Sequence, residues 1–184
     1  MKGKLQLAIA ALLVLILSGG FFAYTFTTAG GTIGVAEPTG DIATSNTTAT
    51  QPDWNAVLDD LSSENKTCGE VPAGNLFAIT PNAAYSGDMI ADVYLTNTAN
   101  LTKAYKYLNM NLYLEGSLEA GKTPNYRVLN LENGVASFSI DGATSSAYTL
   151  SVTGGDYRLT SREPNEWAAD YTVTPELYCE VTQR

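Results

Sequence analysis

Apolar and polar residues alternate with a period of two from residue 76 onward, and this pattern constrains the fold more than any other feature of the chain. The clearest run places four residues on one face of a strand: Leu108, Met110, Leu112 and Leu114. The runs are separated by turn signals, among them Asn133-Gly134, which is the strongest short hairpin signal in the chain, and Gly154-Gly155. No helix-length apolar pattern separates them, which argues against a parallel α/β sheet. The sequence therefore predicts an all-β fold, an antiparallel β-sandwich of jelly-roll or immunoglobulin-like type, over residues 53–184.

A short helix is predicted at the start of this domain, over residues 53–63. Its apolar residues share one helical face: Trp54, Val57, Leu58 and Leu61. The acidic residues Asp59, Asp60 and Glu64 lack the glycine-centred spacing of a calcium-binding loop. We therefore expect them to face solvent and predict no metal site.

Residues 5–26 form a stretch of 22 residues without a charged side chain, and Lys2 and Lys4 precede it. Such a run is stable in lipid only as a helix, and its length suits a bilayer crossing. The two lysines predict that the N-terminus stays inside and that the rest of the chain is exported. Residues 1–29 are interpreted as a signal peptide or, if uncleaved, as a transmembrane anchor with the membrane as its partner. Both interpretations predict an extracellular or cell-surface protein.

Residues 30–52 are rich in Gly, Thr, Ala and Ser and are predicted to form a flexible linker. Within this range, Thr32, Ile33, Gly34 and Val35 alternate as the residues of a short strand would. Two interpretations stay open. The segment belongs to its own domain or tether, or it is donated to the sheet edge of a neighbouring subunit. Only the second interpretation implies self-association.

The two cysteines, Cys68 and Cys179, both lie in the exported part of the chain. An even number of thiols in an oxidising compartment predicts one disulfide. This bond would close a loop of roughly 110 residues, which contributes about 4–5 kcal/mol in the chain-entropy model. The alternation of the last strand directs Cys179 inward, as suits a structural bond.

The composition excludes several classes of function. The chain has no histidine, which removes Ser-His-Asp and Cys-His nucleophiles and His-bearing zinc sites. It has no phosphate-binding loop or dinucleotide fingerprint, and Asp88 and Asp92 are too far apart along one strand to act as an acid–base pair. The formal net charge of −9 disfavours nucleic acid as a partner. We expect neither an enzyme nor a bound cofactor.

Aromatic and amide residues alternate with the leucine run and are predicted to face outward. They are Tyr105, Tyr107, Asn109, Asn111 and Tyr113. Exposed rings beside amides suit contact with a surface protein or a glycan, whereas the alternative is that the linker or the helix covers them. Three Asn-x-Ser/Thr sequons, at Asn46, Asn65 and Asn100, mark candidate glycosylation sites.

Two stretches of the chain carry a resemblance to a known family. The first is Gly19-Gly20-Phe21-Phe22-Ala23-Tyr24-Thr25-Phe26-Thr27. The second runs from Ser86-Gly87-Asp88 through Asn97-Thr98-Ala99-Asn100-Leu101 to the strand at 104–114. Both stretches are similar to the camelysin/TasA-type secreted fibre subunits. The resemblance implies a jelly-roll-like sandwich that assembles into extracellular fibres by donating an N-terminal strand, here residues 32–35.

The sequence thus favours an exported structural or interaction module, with a filament subunit as the leading hypothesis. A monomeric, membrane-anchored binding domain for a glycan or a protein is the alternative. A type IV pilin-like subunit is a minor alternative, because an apolar helix follows Lys2-Gly3. Lys4 occupies the first position after the expected pilin cleavage, which counts against it.

Overall fold

The strands predicted from the alternating pattern are present, and the prediction of an all-β fold is confirmed. A computed structural model describes residues 33–36, 43–47, 51–62, 67–116, 125–143, 147–160 and 173–184. Its elements in chain order are β1 (Gly34–Ala36), β2 (Ala43–Thr47), α1 (Asn55–Ser62), β3 (Cys68–Glu70), β4 (Gly74–Pro81), β5 (Met89–Leu95), α2 (Thr98–Ala104), β6 (Tyr105–Glu115), β7 (Asn125–Asn130), β8 (Val135–Ile140), β9 (Tyr148–Leu159) and β10 (Glu176–Gln183).

The strands of the described residues form two sheets. One sheet is four-stranded with the order β1-β10-β5-β8. The other is six-stranded with the order β2-β4-β9-β6-β7, and β3 pairs with β9 outside this order. β1 pairs with β10 in parallel, and the other pairings found in these residues are antiparallel. β10 therefore lies between β1 and β5, which are far from it in the sequence.

Residues from both sheets share one hydrophobic core. In β5, every second residue from Met89 to Leu95 is buried. β6 buries the four residues predicted to face inward: Leu108, Met110, Leu112 and Leu114. Phe138 of β8 and Leu150 of β9 belong to the same cluster. Full burial of a side chain of this size contributes roughly 1.5–3 kcal/mol, so each inward position of the alternating pattern stabilises this core.

The predicted helix is present as α1 and begins at Asn55 rather than at Asp53. The Asn55 amide donates to Asp53 Oδ1 at 3.0 Å, so the aspartate satisfies a backbone donor at the start of the helix. Trp54, Val57 and Leu61 are buried in the shared core, and Leu58 is partly buried against it. The predicted apolar face of the helix is thus confirmed.

A set of hydrogen bonds joins α1 and the residue before it to the sheets. Trp54 Nε1 donates to the Tyr105 hydroxyl at 3.3 Å, and this hydroxyl donates to the Val173 carbonyl at 3.4 Å. The Tyr157 hydroxyl donates to Asp60 Oδ2 on the helix. Burial, and then the hydrogen bond to Asp60, raises the pKa of Tyr157 well above its ordinary value, so its proton stays in place. These bonds satisfy polar groups that the core would otherwise leave unpaired.

The Asn133-Gly134 signal marks a turn, but the hairpin predicted from it is wrong. Gly134 has a φ of +60°, and Asn130 Oδ1 accepts a hydrogen bond from the Asn133 amide at 2.9 Å. β7 before this turn pairs with β6, whereas β8 after it pairs with β5 in the other sheet. The core requires this crossing, because Leu129 enters it from one sheet and Phe138 from the other.

The Gly154-Gly155 pair was predicted to form a turn, and it does not. β9 continues through both glycines as Tyr148–Leu159. Their φ values are +136° and +146°, and the register between β9 and β6 shifts beside Asn111, as in a β-bulge. A Cβ atom on Gly155 would lie 2.0 Å from the carbonyl oxygen of Asn109. Close approach of two backbones therefore requires the glycine here.

Part of the predicted linker is structured, because β1 and β2 both fall within residues 30–52. Ile33 and Ala43 are buried in the core, and the backbones of β1 and β2 pair with β10 and β4. The linker prediction is therefore wrong for these residues, since the Gly- and Thr-rich composition concealed two short strands.

The hydrophobic segment at 5–26 lies outside the described residues. Within the part of the chain that the structure describes, no helix combines the length and apolar character needed to cross a bilayer.

Candidate interaction surface

The outward side of the six-stranded sheet presents aromatic and amide side chains on neighbouring strands. We call this surface the Tyr/Asn face and define it by Tyr107, Asn109, Asn111, Tyr113, Tyr126, Val128 and Asn130. Its residues form rows across β9, β6 and β7. Tyr113 lies opposite Ser151 and Tyr126, and Asn111 lies opposite Gly154 and Val128. The sequence-predicted stripe on β6 therefore extends onto β7.

The predicted stripe is correct for four residues and wrong for Tyr105. Tyr107 and Asn111 are exposed, and Asn109 and Tyr113 are half-buried. Tyr105 is only 1% exposed, and its ring meets that of Tyr157 edge-on with centroids 5.8 Å apart. The register of β6 against β9 shifts between Tyr105 and Tyr107, which turns Tyr105 to the inner side.

The most exposed ring of the Tyr/Asn face is on β7, a strand outside the stripe predicted from the sequence. Tyr126 is 56% exposed and Val128 is 48% exposed. The rings of Tyr126 and Tyr113 are stacked, with centroids 4.7 Å apart and planes 27° apart. Only the pairing of β7 with β6 reveals this contact, because the two tyrosines are not close in the sequence.

Charges lie mainly at the β9 side of the Tyr/Asn face. Asp156 and Arg158 are exposed on β9, and Asn109 Nδ2 donates to Asp156 Oδ1 at 3.1 Å. Desolvation and the Asp156 carboxylate raise the pKa of Tyr107 above its ordinary value, so its hydroxyl is neutral at physiological pH. A surface of phenol rings and amides can stack against other rings and exchange hydrogen bonds.

The acidic residues considered in the sequence do not form a metal centre among the described residues. No group of three or more metal-binding side chains occurs there. Asp88 has a structural role instead, because its Oδ1 accepts from the Gly142 amide at 2.8 Å and its carbonyl accepts from the Tyr85 hydroxyl at 2.7 Å.

The predicted disulfide between Cys68 and Cys179 is wrong, because both residues are free thiols in the structure. Cys68 is exposed on β3 and lies opposite Arg158 in the six-stranded sheet. Cys179 lies in the middle of β10 in the other sheet and is fully buried. The inward direction predicted for Cys179 is correct, but the two thiols belong to different sheets and different environments.

The two thiols are therefore expected to react very differently. Burial raises the pKa of the Cys179 thiol to about 12, so it remains protonated and shielded at pH 8. A thiol-specific chromogenic reagent should label Cys68 alone in the native protein and both cysteines after denaturation. The Cys68→Ser variant should show no rapid labelling until it is unfolded. If the wild-type protein is denatured without a reductant and neither cysteine reacts with the reagent, the assignment of two free thiols is wrong.

The candidate glycosylation sites differ in how the structure describes them. Asn100 is exposed within α2, where its amide donates to the Asn97 carbonyl at 2.9 Å. Asn46 belongs to β2. Asn65 lies outside the described residues. Glycosylation at these residues stays a prediction.

The candidate donor strand is paired within its own chain. Gly34, Val35 and the following alanine form β1 and lie opposite Glu176, Leu177 and Tyr178. Ile33, immediately before β1, is fully buried, and Thr32 lies outside the described residues. β1 is one of the two outer strands of the four-stranded sheet, and β8 is the other.

The chain matches no protein-family model, and no curated protein matches it. The resemblance to camelysin/TasA-type fibre subunits accordingly stays a hypothesis based on the two stretches quoted above.

Proposed function

We propose that this protein is an exported, cell-surface β-sandwich of jelly-roll or immunoglobulin-like type that serves as a structural subunit. Subunits join by donating the N-terminal strand β1 to the four-stranded sheet of a neighbour. The unbroken apolar segment before β1 supports export, and the resemblance to fibre subunits supports assembly. The protein has no enzymatic role in this proposal.

The position of β1 is the observation that carries the proposal. β1 has three residues and pairs through one long side with β10, at the edge of its sheet. The buried side chain of Ile33 anchors it in the core. The same strand and the same isoleucine, when supplied by a neighbouring copy, would make equivalent backbone and core contacts, which is the basis of β-strand addition.

Replacing Ile33 with aspartate is expected to abolish filament formation. A carboxylate at this fully buried position has no described cationic partner, so docking of β1 becomes unfavourable by several kcal/mol. Electron microscopy and light scattering on residues 30–184 measure the loss. The matched control is Val135→Asp, which introduces the same group at a partly exposed position on β8 and should leave filaments intact.

Two results would contradict strand donation. One is filament formation by the Ile33→Asp variant at the wild-type level. The other is unchanged filament length when a synthetic peptide of residues 30–40 is added in excess, since a donated strand should be displaced by it. Circular dichroism of the variant establishes that its sheets are still folded.

A monomeric binding domain for a glycan or a protein is the second candidate function. The stacked and exposed pair Tyr113 and Tyr126, flanked by the amides of Asn109 and Asn111, favours it. Light scattering on residues 30–184 separates the two functions, because a subunit gives polydisperse high mass whereas a binding domain gives the mass of one chain. Mass spectrometry of the mature N-terminus decides whether the protein is membrane-anchored or released.

A further inference from the structure

β7 is one outer strand of the six-stranded sheet and β8 is one outer strand of the four-stranded sheet, and the two follow each other in the chain. β7 pairs only with β6, and β8 pairs only with β5, within the described residues. Each strand therefore turns one long side away from its sheet. Unpaired N–H and C=O groups along such an edge are a template for pairing with another chain.

Side chains of β7 donate hydrogen bonds to carbonyl groups along the free edge of β8. Arg127 Nε donates to the Ser137 carbonyl at 3.0 Å, and Asn125 Nδ2 donates to the Ser139 carbonyl at 3.0 Å. Ser137 and Ser139 are alternate residues of β8, as expected for carbonyls that point to the same side of a strand. The guanidinium carbon of Arg127 also lies 5.9 Å from the centre of the Phe138 ring.

The free edge of β7 is occupied in the same way. Arg127 Nη1 donates to the Tyr126 carbonyl at 2.7 Å, and Asn133 Nδ2 donates to the Val128 carbonyl at 3.0 Å. The Asn130 amide donates to Asn133 Oδ1 at 3.0 Å. Arg127 thus bonds to both edges at once, which the fork of its guanidinium permits.

Without these bonds, the free edges of β7 and β8 would be open to pairing with a strand of another molecule. β7 contains the strand-favouring residues Tyr126 and Val128, which are the two most exposed large hydrophobic side chains among the described residues. Val135, at the start of β8, is also exposed. An edge of this kind is a predicted site of aggregation unless it is closed.

We propose that Arg127, Asn125 and Asn133 close the β7 and β8 edges against strand pairing, so that a second copy of this chain pairs only along the side formed by β1 and β2. The two edges of each sheet are then unequal, because one is closed and the other is open to a second copy. This inference deepens the strand-pairing part of the proposed function. Its test does not require the wild type to form filaments.

Replacing Arg127 with alanine in the full chain, solubilised in a mild nonionic detergent, opens both edges. We expect self-association at about tenfold lower protein concentration than in the wild type, as measured by sedimentation velocity over a dilution series. Hydrogen exchange with mass spectrometry should show new, concentration-dependent protection in the peptide 125–140. Asn125→Ala, which opens only part of the β8 edge, should give a smaller change of the same kind.

The matched control is Arg158→Ala, which removes the same charge from an exposed position on β9, a strand paired on both sides. It should behave as the wild type. Arg127→Lys keeps the positive charge but lacks the forked guanidinium that bonds to both strands. We expect it to self-associate at the same concentration as Arg127→Ala. If the lysine variant behaves as the wild type, the simultaneous bonds from one guanidinium to both edges are not what protects them, and the proposal is wrong.

The location of the new protection separates this proposal from strand donation. Protection in 125–140 of the Arg127 variants, with a wild type that never assembles, supports edge closure and contradicts strand donation. Protection confined to 33–47 supports strand donation and overturns edge closure. If Arg127→Ala is unfolded by circular dichroism, Asn125→Ala decides alone, and a monomer at every concentration overturns the proposal.

Discussion

Replacing Trp54 with alanine is expected to lower the free energy of unfolding by about 3–5 kcal/mol. Trp54 is the largest of the fully buried side chains in the described core, and it precedes α1 directly. Its removal leaves a cavity between the helix and the sheets and deprives the Tyr105 hydroxyl of the donor at 3.3 Å. Urea denaturation followed by tyrosine fluorescence and circular dichroism measures the loss.

The Trp54→Phe variant separates packing from hydrogen bonding. Phenylalanine restores most of the buried area but cannot donate to Tyr105, so we expect a loss of about 1–2 kcal/mol. If the alanine variant loses less than the phenylalanine variant is expected to lose, then the indole does not fill the core as described. The helix would in that case contribute little to stability.

Replacing Gly155 with alanine is expected to destabilise the protein by about 2–4 kcal/mol, considerably more than the same change at Gly154. Both glycines have a positive φ, so either alanine is strained. At Gly155 the added Cβ would also lie 2.0 Å from the carbonyl oxygen of Asn109, whereas at Gly154 it meets nothing within 4 Å. We expect about 1–2 kcal/mol for Gly154→Ala.

The pair of glycine variants tests the bulge between β9 and β6 directly. Thermal unfolding and urea denaturation of both proteins give the comparison. Equal losses at the two positions would mean that backbone strain alone determines the cost. A turn at this site, as the sequence suggested, would make both substitutions far milder, because a loop can move away from its neighbour.

The period of two was sufficient to predict the inner face of β5 and β6, because burial of every second side chain leaves this signature in the sequence. It failed at Tyr105, where a register shift reverses the direction of one side chain. The sequence does not reveal this shift, because the inward residue Tyr105 and the outward residue Tyr107 are both tyrosines.

The prediction of a turn at Gly154-Gly155 failed for a related reason. Positive φ values occur in turns and in bulges alike, so Gly154-Gly155 is compatible with either. The Asn133-Gly134 turn was located correctly, but nothing local tells whether the strands beside it stay in one sheet. Whether the two strands share a sheet depends on how Leu129 and Phe138 pack in the core, and this packing involves residues from the whole fold.

The candidate surface was predictable only along a single strand. Asn109, Asn111 and Tyr113 could be assigned from β6 alone, whereas Tyr126 joins them through strand pairing. The disulfide was predicted from an expected oxidising compartment and from the even number of cysteines. Neither gives the distance between the two sulfur atoms. Cys68 and Cys179 are placed by two different sheets, so their separation was not accessible from the sequence.

The location of β10 between β1 and β5 has a consequence for how the chain reaches its folded state. Both neighbours of β10 precede it by long stretches of chain, so neither β1 nor β5 can pair with it until residues 176–183 are available. Contacts of such long sequence separation make folding slow. We therefore expect the four-stranded sheet to form as a unit only when β10 joins β1 to β5.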